Sequence, residues 1–294
     1  MRVLLHSKSH IVADIPGFER EPDIERADAD LTAEEAGRLC YLSGHRPNPK
    51  TATNPDYLLN IENERHYSVL GHSSATFYID EITRNCTHEM IRHKWFTFSE
   101  VSQRYVDADK FWMASHPGIK AYAEGRDYNA VQQLFTDCLA LYRDIVEFLE
   151  TSGYTRKEAR QAARHVLPGG TETKILMSGN LRAWRDFLAQ RLSPHADAEI
   201  RNVALEIYKI LKAEFPNSFQ DFDSQGMITM ERLIQRALDR HDVWTYHAVP
   251  EDQQDKLRGA AALDFVADVR EILKKGLWVL KTDSWKENEI GSGI

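Results

Sequence analysis

A chain of 294 residues, 42% hydrophobic and 28% charged, has the make-up of a soluble globular protein with room for one large domain or two ordinary ones. Its net charge of −8 repels polyanions, which argues against general nucleic-acid or membrane-surface binding but leaves room for a local cationic pocket. Cys40, Cys86 and Cys138 form neither a CxxC nor a metal-type spacing; so sparse a set fits a reducing cytoplasm, with each thiol a small buried apolar side chain. The opening MRVLLHSKSH is not patterned as a signal peptide, and no apolar run approaches the roughly 20 residues that span a bilayer.

In chain order, RVLL predicts an opening strand. LTAEEAGRLCYLSG predicts a helix capped by Thr32, with Glu35 completing a capping box. RPNPKTATNP reads as a proline-rich loop. SSATFYIDEI alternates, with Ala75, Phe77 and Ile79 on one side and Thr76, Tyr78 and Asp80 on the other, and predicts a strand. From Thr83 to about His93 the spacing turns helical, and Ile82, Cys86 and Met90 form an apolar stripe. YNAVQQLFTDCLALYRDIVEFLETSG and RKEARQAARHVLPGG predict amphipathic helices, the second stopped by Pro168 and Gly169. TKILMSG predicts a strand, Asn180 opens a helix through Arg191, and Ser193 and Pro194 start another to about Lys212. The expected fold is α+β, a central β-sheet with packed helices over residues 1–226, followed by a helical C-terminal extension over residues 227–294. That extension carries Trp278 and Trp285.

The stretch CTHEMIRHKWFTFSEVSQRY tests for metal first. His88 and His93 stand five apart rather than four, so on a helix they miss a shared face by roughly 140°, and the zinc-protease pattern fails. A second stripe, Arg84, His88 and Arg92, is either a solvated face or part of an anion site. It runs into Lys94 and the aromatics Trp95, Phe96 and Phe98, a mixture that suits a planar anionic ligand. Between Tyr154 and Arg191, eight basic residues face three acids. That net of +5 within a chain of −8 points to small anions held by arginine, with Arg160 and Arg164 on one helix face. Neither a P-loop nor a GxGxxG motif is present, so side chains would hold the phosphates.

RHKWFTFSEVSQRY resembles the signature of flavin-dependent thymidylate synthases, Arg-His-Arg, seven residues, Ser; here it reads Arg92-His93-Lys94, seven residues, Ser102. GHSSATFYI, ARQAARHVLP, TETKILMSGNLRAWRDFLAQR and SPHADAEIRNVALEIY accompany it in order, so the resemblance covers roughly residues 39–222. It implies a cytoplasmic homotetramer, with sites between subunits, that methylates dUMP to dTMP. The carbon comes from 5,10-methylenetetrahydrofolate, FAD is the cofactor, NADPH the reductant, and no enzyme cysteine attacks the pyrimidine. Neither nucleic acid nor membrane is an expected partner.

The resemblance assigns Arg191 to catalysis, polarising the pyrimidine; a helix-terminal arginine complementing the dipole is the plain alternative. It matches Arg84, Glu89, Met90, Ile91, Arg92, Glu100, Val101, Ser102, Gln103, Arg104, Arg164 and Arg191 to the nucleotide. His72, Ser74, Arg92, His93, Lys94, Glu100, Asn180, Arg182 and Asp186 match the flavin. Tyr41 either stacks near the nucleotide or packs in the core. Ser102 reads as a hydrogen-bonding hydroxyl, since no Ser-His-Asp order surrounds it. For Glu89 and Glu100 the plain alternative, compatible with the first, is a salt bridge to those arginines; for Asn180 it is a helix N-cap, and for His72 a strand-entry histidine bonded to backbone. Three positions depart from the family: Lys94 for arginine, Ser99 where asparagine is common, and Asp186 where asparagine or histidine is common. They imply altered affinity for flavin or NADPH. A non-catalytic nucleotide- or flavin-binding regulatory protein on the same scaffold is the alternative.

Overall fold

The computed structural model describes residues 1–18, 28–114, 116–123 and 129–227. Strand β1 (Arg2–Lys8) leads to α1 (Asp28–Cys40) and α2 (Asn54–Asn63), then β2 (Ser74–Thr83), α3 (Arg84–Met90) and β3 (Phe96–Glu100). Helices α4 (Pro117–Ala123), α5 (Asn129–Thr151) and α6 (Arg156–Ala163) follow. Then come β4 (Glu172–Asn180), α7 (Leu181–Arg191), α8 (Ala198–Glu214) and the short ladder of β5 (Phe222–Asp223) with β6 (Gly226–Met227). The α+β class is as the sequence predicts. The helices expected beyond Met227 lie outside the described residues. Among the described residues no helix is long and apolar enough to cross a membrane.

Four strands pair antiparallel in the order β1-β2-β4-β3. Alternation dictates the two faces. Ala75, Phe77, Ile79, Ile175 and Met177 point into the core, joined at its margin by Val3, Leu5, Phe96 and Phe98. Helices α7 and α8 cover that face with Trp184, Phe187, Ile200, Val203, Ala204 and Ile207, all fully buried. The Trp184 indole donates to the Ala75 carbonyl at 3.1 Å, and its ring meets Phe77 and Phe96 edge-on, so the largest core side chain is also polar-satisfied. A smaller core joins Tyr142, Ile145 and Val146 of α5 to Ala163, Ala108 and Phe111.

A bulge in β2 sets up the site. Three steps from Ile79 to Ile82 oppose two on β4, and Glu81 takes a left-handed φ of 57° to absorb the extra residue. The strand then delivers Thr83 as the N-cap of α3, its hydroxyl accepting from Cys86 N at 3.0 Å. Glu199 of α8 fixes that cap by accepting from both Thr83 N (2.8 Å) and Thr83 Oγ1 (2.5 Å).

Several local expectations are corrected. Helix α1 starts at Asp28, and Thr32 is inside it, donating back to Asp28 O at 2.7 Å rather than capping. The proline-rich loop ends in α2, capped by Thr53, because Pro55 in a first turn has no bond to lose. Helix α3 stops at Met90, so Arg92 lies beyond it and the Arg84-His88-Arg92 stripe is not one helix face. The aromatic patch contains β3, whose alternation of Phe96 and Phe98 against Thr97 and Ser99 is a strand pattern. Helix α8 is capped by Asp197, four residues after Ser193. The capping box belongs to α6, on Thr155 and Glu158.

Candidate active site

Where α3 ends beside the end of α7, one cluster forms. Arg191, the last residue of α7, donates from Nε to His93 Nε2 (2.9 Å), from Nη1 to Glu89 Oε2 (2.6 Å) and from Nη2 to Glu89 O (3.2 Å). Of its five N–H groups three are therefore engaged, and one on each terminal nitrogen has no partner among the described residues. His93 is 6% exposed, wedged edge-on between Phe187 and Phe96. Burial, then the Arg191 charge, holds its pKa below the ordinary 6.5, so the ring is neutral at physiological pH. Asp186 Oδ2 lies 3.9 Å from His93 Nδ1 and accepts from Gln190 Nε2 at 2.9 Å. An open pocket of about 420 Å³ sits over this cluster, lined by Arg92, His93, Gln190, Arg191, Ser193, His195 and Ala196. The sequence reading missed Gln190, Ser193 and His195; their signal was the polar run flanking Arg191 in the α7–α8 turn.

A second cluster holds the start of the 101–106 loop. Glu100 Oε1 accepts from Thr87 Oγ1 (2.8 Å) and Thr173 Oγ1 (3.0 Å), and its Oε2 from Arg84 Nη2 (3.3 Å). Arg84 Nη1 also donates to Val101 O at 3.1 Å. Within one chain Arg84 and Glu100 thus act first on each other. Beyond them Ser102 heads a turn, its carbonyl accepting from Tyr105 N and Val106 N and its hydroxyl from Arg104 N. Gln103 is buried, and Arg104 Nε is buried with no hydrogen-bond partner among the described residues. Such an orphaned cationic donor is costly unless a ligand satisfies it. Arg164, half-buried, follows α6 and forms no side-chain ion pair among the described residues.

The third group gathers at one end of the sheet. Register pairs Ser74 with Asn180 and Phe96 with Gly179, which brings the start of β2, the end of β4 and the start of β3 together. Only glycine fits at 179, because a Cβ there would lie 2.5 Å from the Phe96 ring. His72, Lys94 and Arg182 are exposed beside this edge. Asn180 does cap α7, accepting from Ala183 N at 2.9 Å, which leaves its amide N–H groups for other partners.

Not every predicted residue joins in. Met90 is fully buried, so only its backbone can face a ligand, whereas Ile91 is exposed. Tyr41 is 75% exposed rather than packed in the core. Arg185 points the other way, into a buried network with Glu62 and Asp221, and Arg156 and Arg160 both pair with Asp107. Three of the eight counted cations are thus structural.

Fold and cluster together define an α+β protein in which arginines and histidines from mid-chain, with Gln190 and Ser193, line a polar pocket. Residues 24–217 match the family described as "Thymidylate synthase complementing protein". The chain is 45% identical over 218 residues to the flavin-dependent thymidylate synthase of Mycolicibacterium gilvum, covering 70% of this chain and 86% of that relative. It is 43% identical over 232 residues to the flavin-dependent thymidylate synthases of Mycobacterium marinum and Mycobacterium tuberculosis, covering 76% of this chain and 90% of each. The chain belongs to the flavin-dependent thymidylate synthase family, a family of enzymes.

Proposed function

We propose that this chain reductively methylates dUMP to dTMP, drawing its carbon from 5,10-methylenetetrahydrofolate and its electrons from NADPH through FAD. The observation that carries this reading is the Arg191 clamp: a guanidinium oriented by Glu89 and His93 with two N–H groups to spare beside a pocket. A fixed guanidinium stabilises negative charge developing on a pyrimidine carbonyl or ring nitrogen, worth about 3–4 kcal/mol where one comparable donor is lost. Arg92, Arg104 and Arg164, with a contribution from Arg84, take the nucleotide phosphate; Glu89, Ile91, Val101, Ser102 and Gln103 shape the rest of its site, with the Met90 backbone between them.

FAD suits the donor set at the sheet end. Arg92, Lys94 and Arg182 are exposed cations without a side-chain ion pair among the described residues, and His72, Ser74 and Asn180 offer polar groups alongside. When bound, the flavin supplies the hydride; these residues bind it and neutralise its charge, while His93, Glu100 and Asp186 order the cations around it. Sites shared between subunits of a homotetramer would complete the nucleotide pocket, which is open in the single chain.

Cysteine placement supports a route without a thiol nucleophile. Cys86 is 2% exposed in the core, where burial pushes its thiol far above the ordinary range. Cys40, at the end of α1, is exposed and Cys138, on α5, is half-buried, against the expectation of three buried thiols, and neither lines the pocket beside Arg191. Replacing all three by alanine is expected to leave turnover within about threefold, after allowing for a loss of about 1 kcal/mol of core packing at position 86. The purified protein is expected to be yellow and to oxidise NADPH faster when deoxyuridylate is added. A colourless protein that binds deoxyuridylate but takes up no FAD would overturn the proposal in favour of a binding protein.

A further inference from the structure

We propose that Asp186 is a positioning residue: it fixes the proton of His93 on Nδ1 and thereby, through His93, holds the Arg191 guanidinium in its working orientation. What that orientation accomplishes rests on the function proposed above; the clamp itself does not. An arginine Nε–H can only donate, so His93 Nε2, 2.9 Å away, must present a lone pair. The imidazole is therefore neutral with its proton on Nδ1. Asp186 Oδ2 faces that nitrogen at 3.9 Å, too long for a hydrogen bond but close enough for a carboxylate to favour an N–H dipole over a bare nitrogen. It is the only carboxylate within 4 Å of either ring nitrogen among the described residues. Gln190 Nε2, one turn on, holds the carboxylate at 2.9 Å.

The charges around the ring fix the sign of the pH effect. Asp186 and Arg191 face it from α7, Glu89 from α3 and Arg92 from the turn that follows; His195 lines the same pocket. Burial and the two arginines disfavour the imidazolium, and the two carboxylates favour it, with disfavour prevailing. Protonation would set an Nε2–H against the Arg191 Nε–H and open the clamp. Asp186 thus acts by choosing a tautomer, an arrangement in which an acid beside the flavin site is drawn toward the protein instead of the cofactor.

Asp186→Asn keeps an acceptor oxygen and removes the charge; Asp186→Leu removes both. The readouts are imidazole nitrogen NMR on labelled protein, with His93→Gln used to assign the signal, and the pH profile of deoxyuridylate turnover. Wild-type His93 is expected to show a protonated Nδ1 and a bare Nε2. Asp186→Asn is expected to keep that tautomer while its His93 titration, and the acid limb of turnover, move to lower pH. Asp186→Leu is expected to mix the tautomers and lower kcat about 10- to 100-fold, as for other partners that orient a histidine. A protonated Nε2 in the wild type, or a His93 titration indifferent to both substitutions, would overturn the inference whatever the turnover. Imidazole signals as described with no deoxyuridylate turnover in any variant would support the clamp while contradicting the proposed activity.

Discussion

Helix α7 carries two arginines six residues apart that meet opposite environments. Arg185 is 4% exposed; its Nη1 donates to Ser218 O and Asp221 Oδ1 (both 2.7 Å) and Glu62 Oε1 (3.3 Å), and its Nη2 to Asp221 Oδ2 (2.6 Å). The rings of Tyr67 and Phe222 flank it. Arg191 is held just as directly, but by one carboxylate, a carbonyl and a neutral imidazole, at the rim of a pocket. The first guanidinium is enclosed by partners and serves the fold; the second is held at three points and keeps two donors for a ligand. Residue type and helix are the same in both cases, so the partners that folding brings from distant segments decide between structure and chemistry.

Separating the two arginines by mutation gives the largest expected effects. Arg185→Met leaves Asp221 and Glu62 buried beside each other and is expected to cost about 3–5 kcal/mol in urea unfolding. Arg191→Met is expected to cost under about 1 kcal/mol in the same titration, yet to slow turnover about 10²- to 10³-fold. Equal losses of stability would erase the distinction. Within the Arg185 network the carboxylates differ too. Burial lifts Glu62 above the ordinary carboxylate range, with Asp221 adding to it, and its Oε2 has no hydrogen-bond partner among the described residues. Glu62→Gln is therefore expected to be milder than Asp221→Asn, which breaks the bidentate pair.

Smaller effects sharpen the account of the Arg191 side. Glu199→Gln removes the charge that anchors the α3 cap and is expected to cost about 1–2 kcal/mol, with a weaker clamp because α3 carries Glu89. Because the folded pKa of His93 is depressed, the unfolded chain binds more protons as the pH drops below about 6.5, and stability falls with it. A thermal midpoint that drops between pH 7.5 and 5.5 by more in the wild type than in His93→Gln checks this. Lys94→Arg restores a bidentate fork at an exposed cation and is expected to tighten flavin binding only a few-fold; unchanged flavin affinity and NADPH oxidation would show that this departure has no consequence.

The elements that place Arg191 were legible in the sequence because their signals are local. Strand β2 showed clean alternation, β4 a bounded apolar run, and α7 an asparagine cap followed by helical spacing. Helix α2 was not, because Pro55 reads as a break unless Thr53 is recognised as its cap. Strand β3 was masked by its aromatic density. In the site, His93, Arg191, Glu89 and Asp186 were named from the family resemblance, but their union was invisible: Glu89 and Arg191 are separated by 102 positions and meet only because α3 and α7 end side by side. The same limit concealed the burial of Arg185, which the charge balance of residues 154–191 grouped with the anion-binding cations, and left open which arginine Glu100 would meet.

Release of tritium from C5-labelled deoxyuridylate, with FAD, NADPH and methylenetetrahydrofolate present, tests the role of Arg191 most directly. Wild-type protein is predicted to release the label, and Arg191→Met, with an unfolding free energy within about 1 kcal/mol of wild type, to do so at least about 100-fold more slowly. Equal release by the two folded proteins would contradict the account.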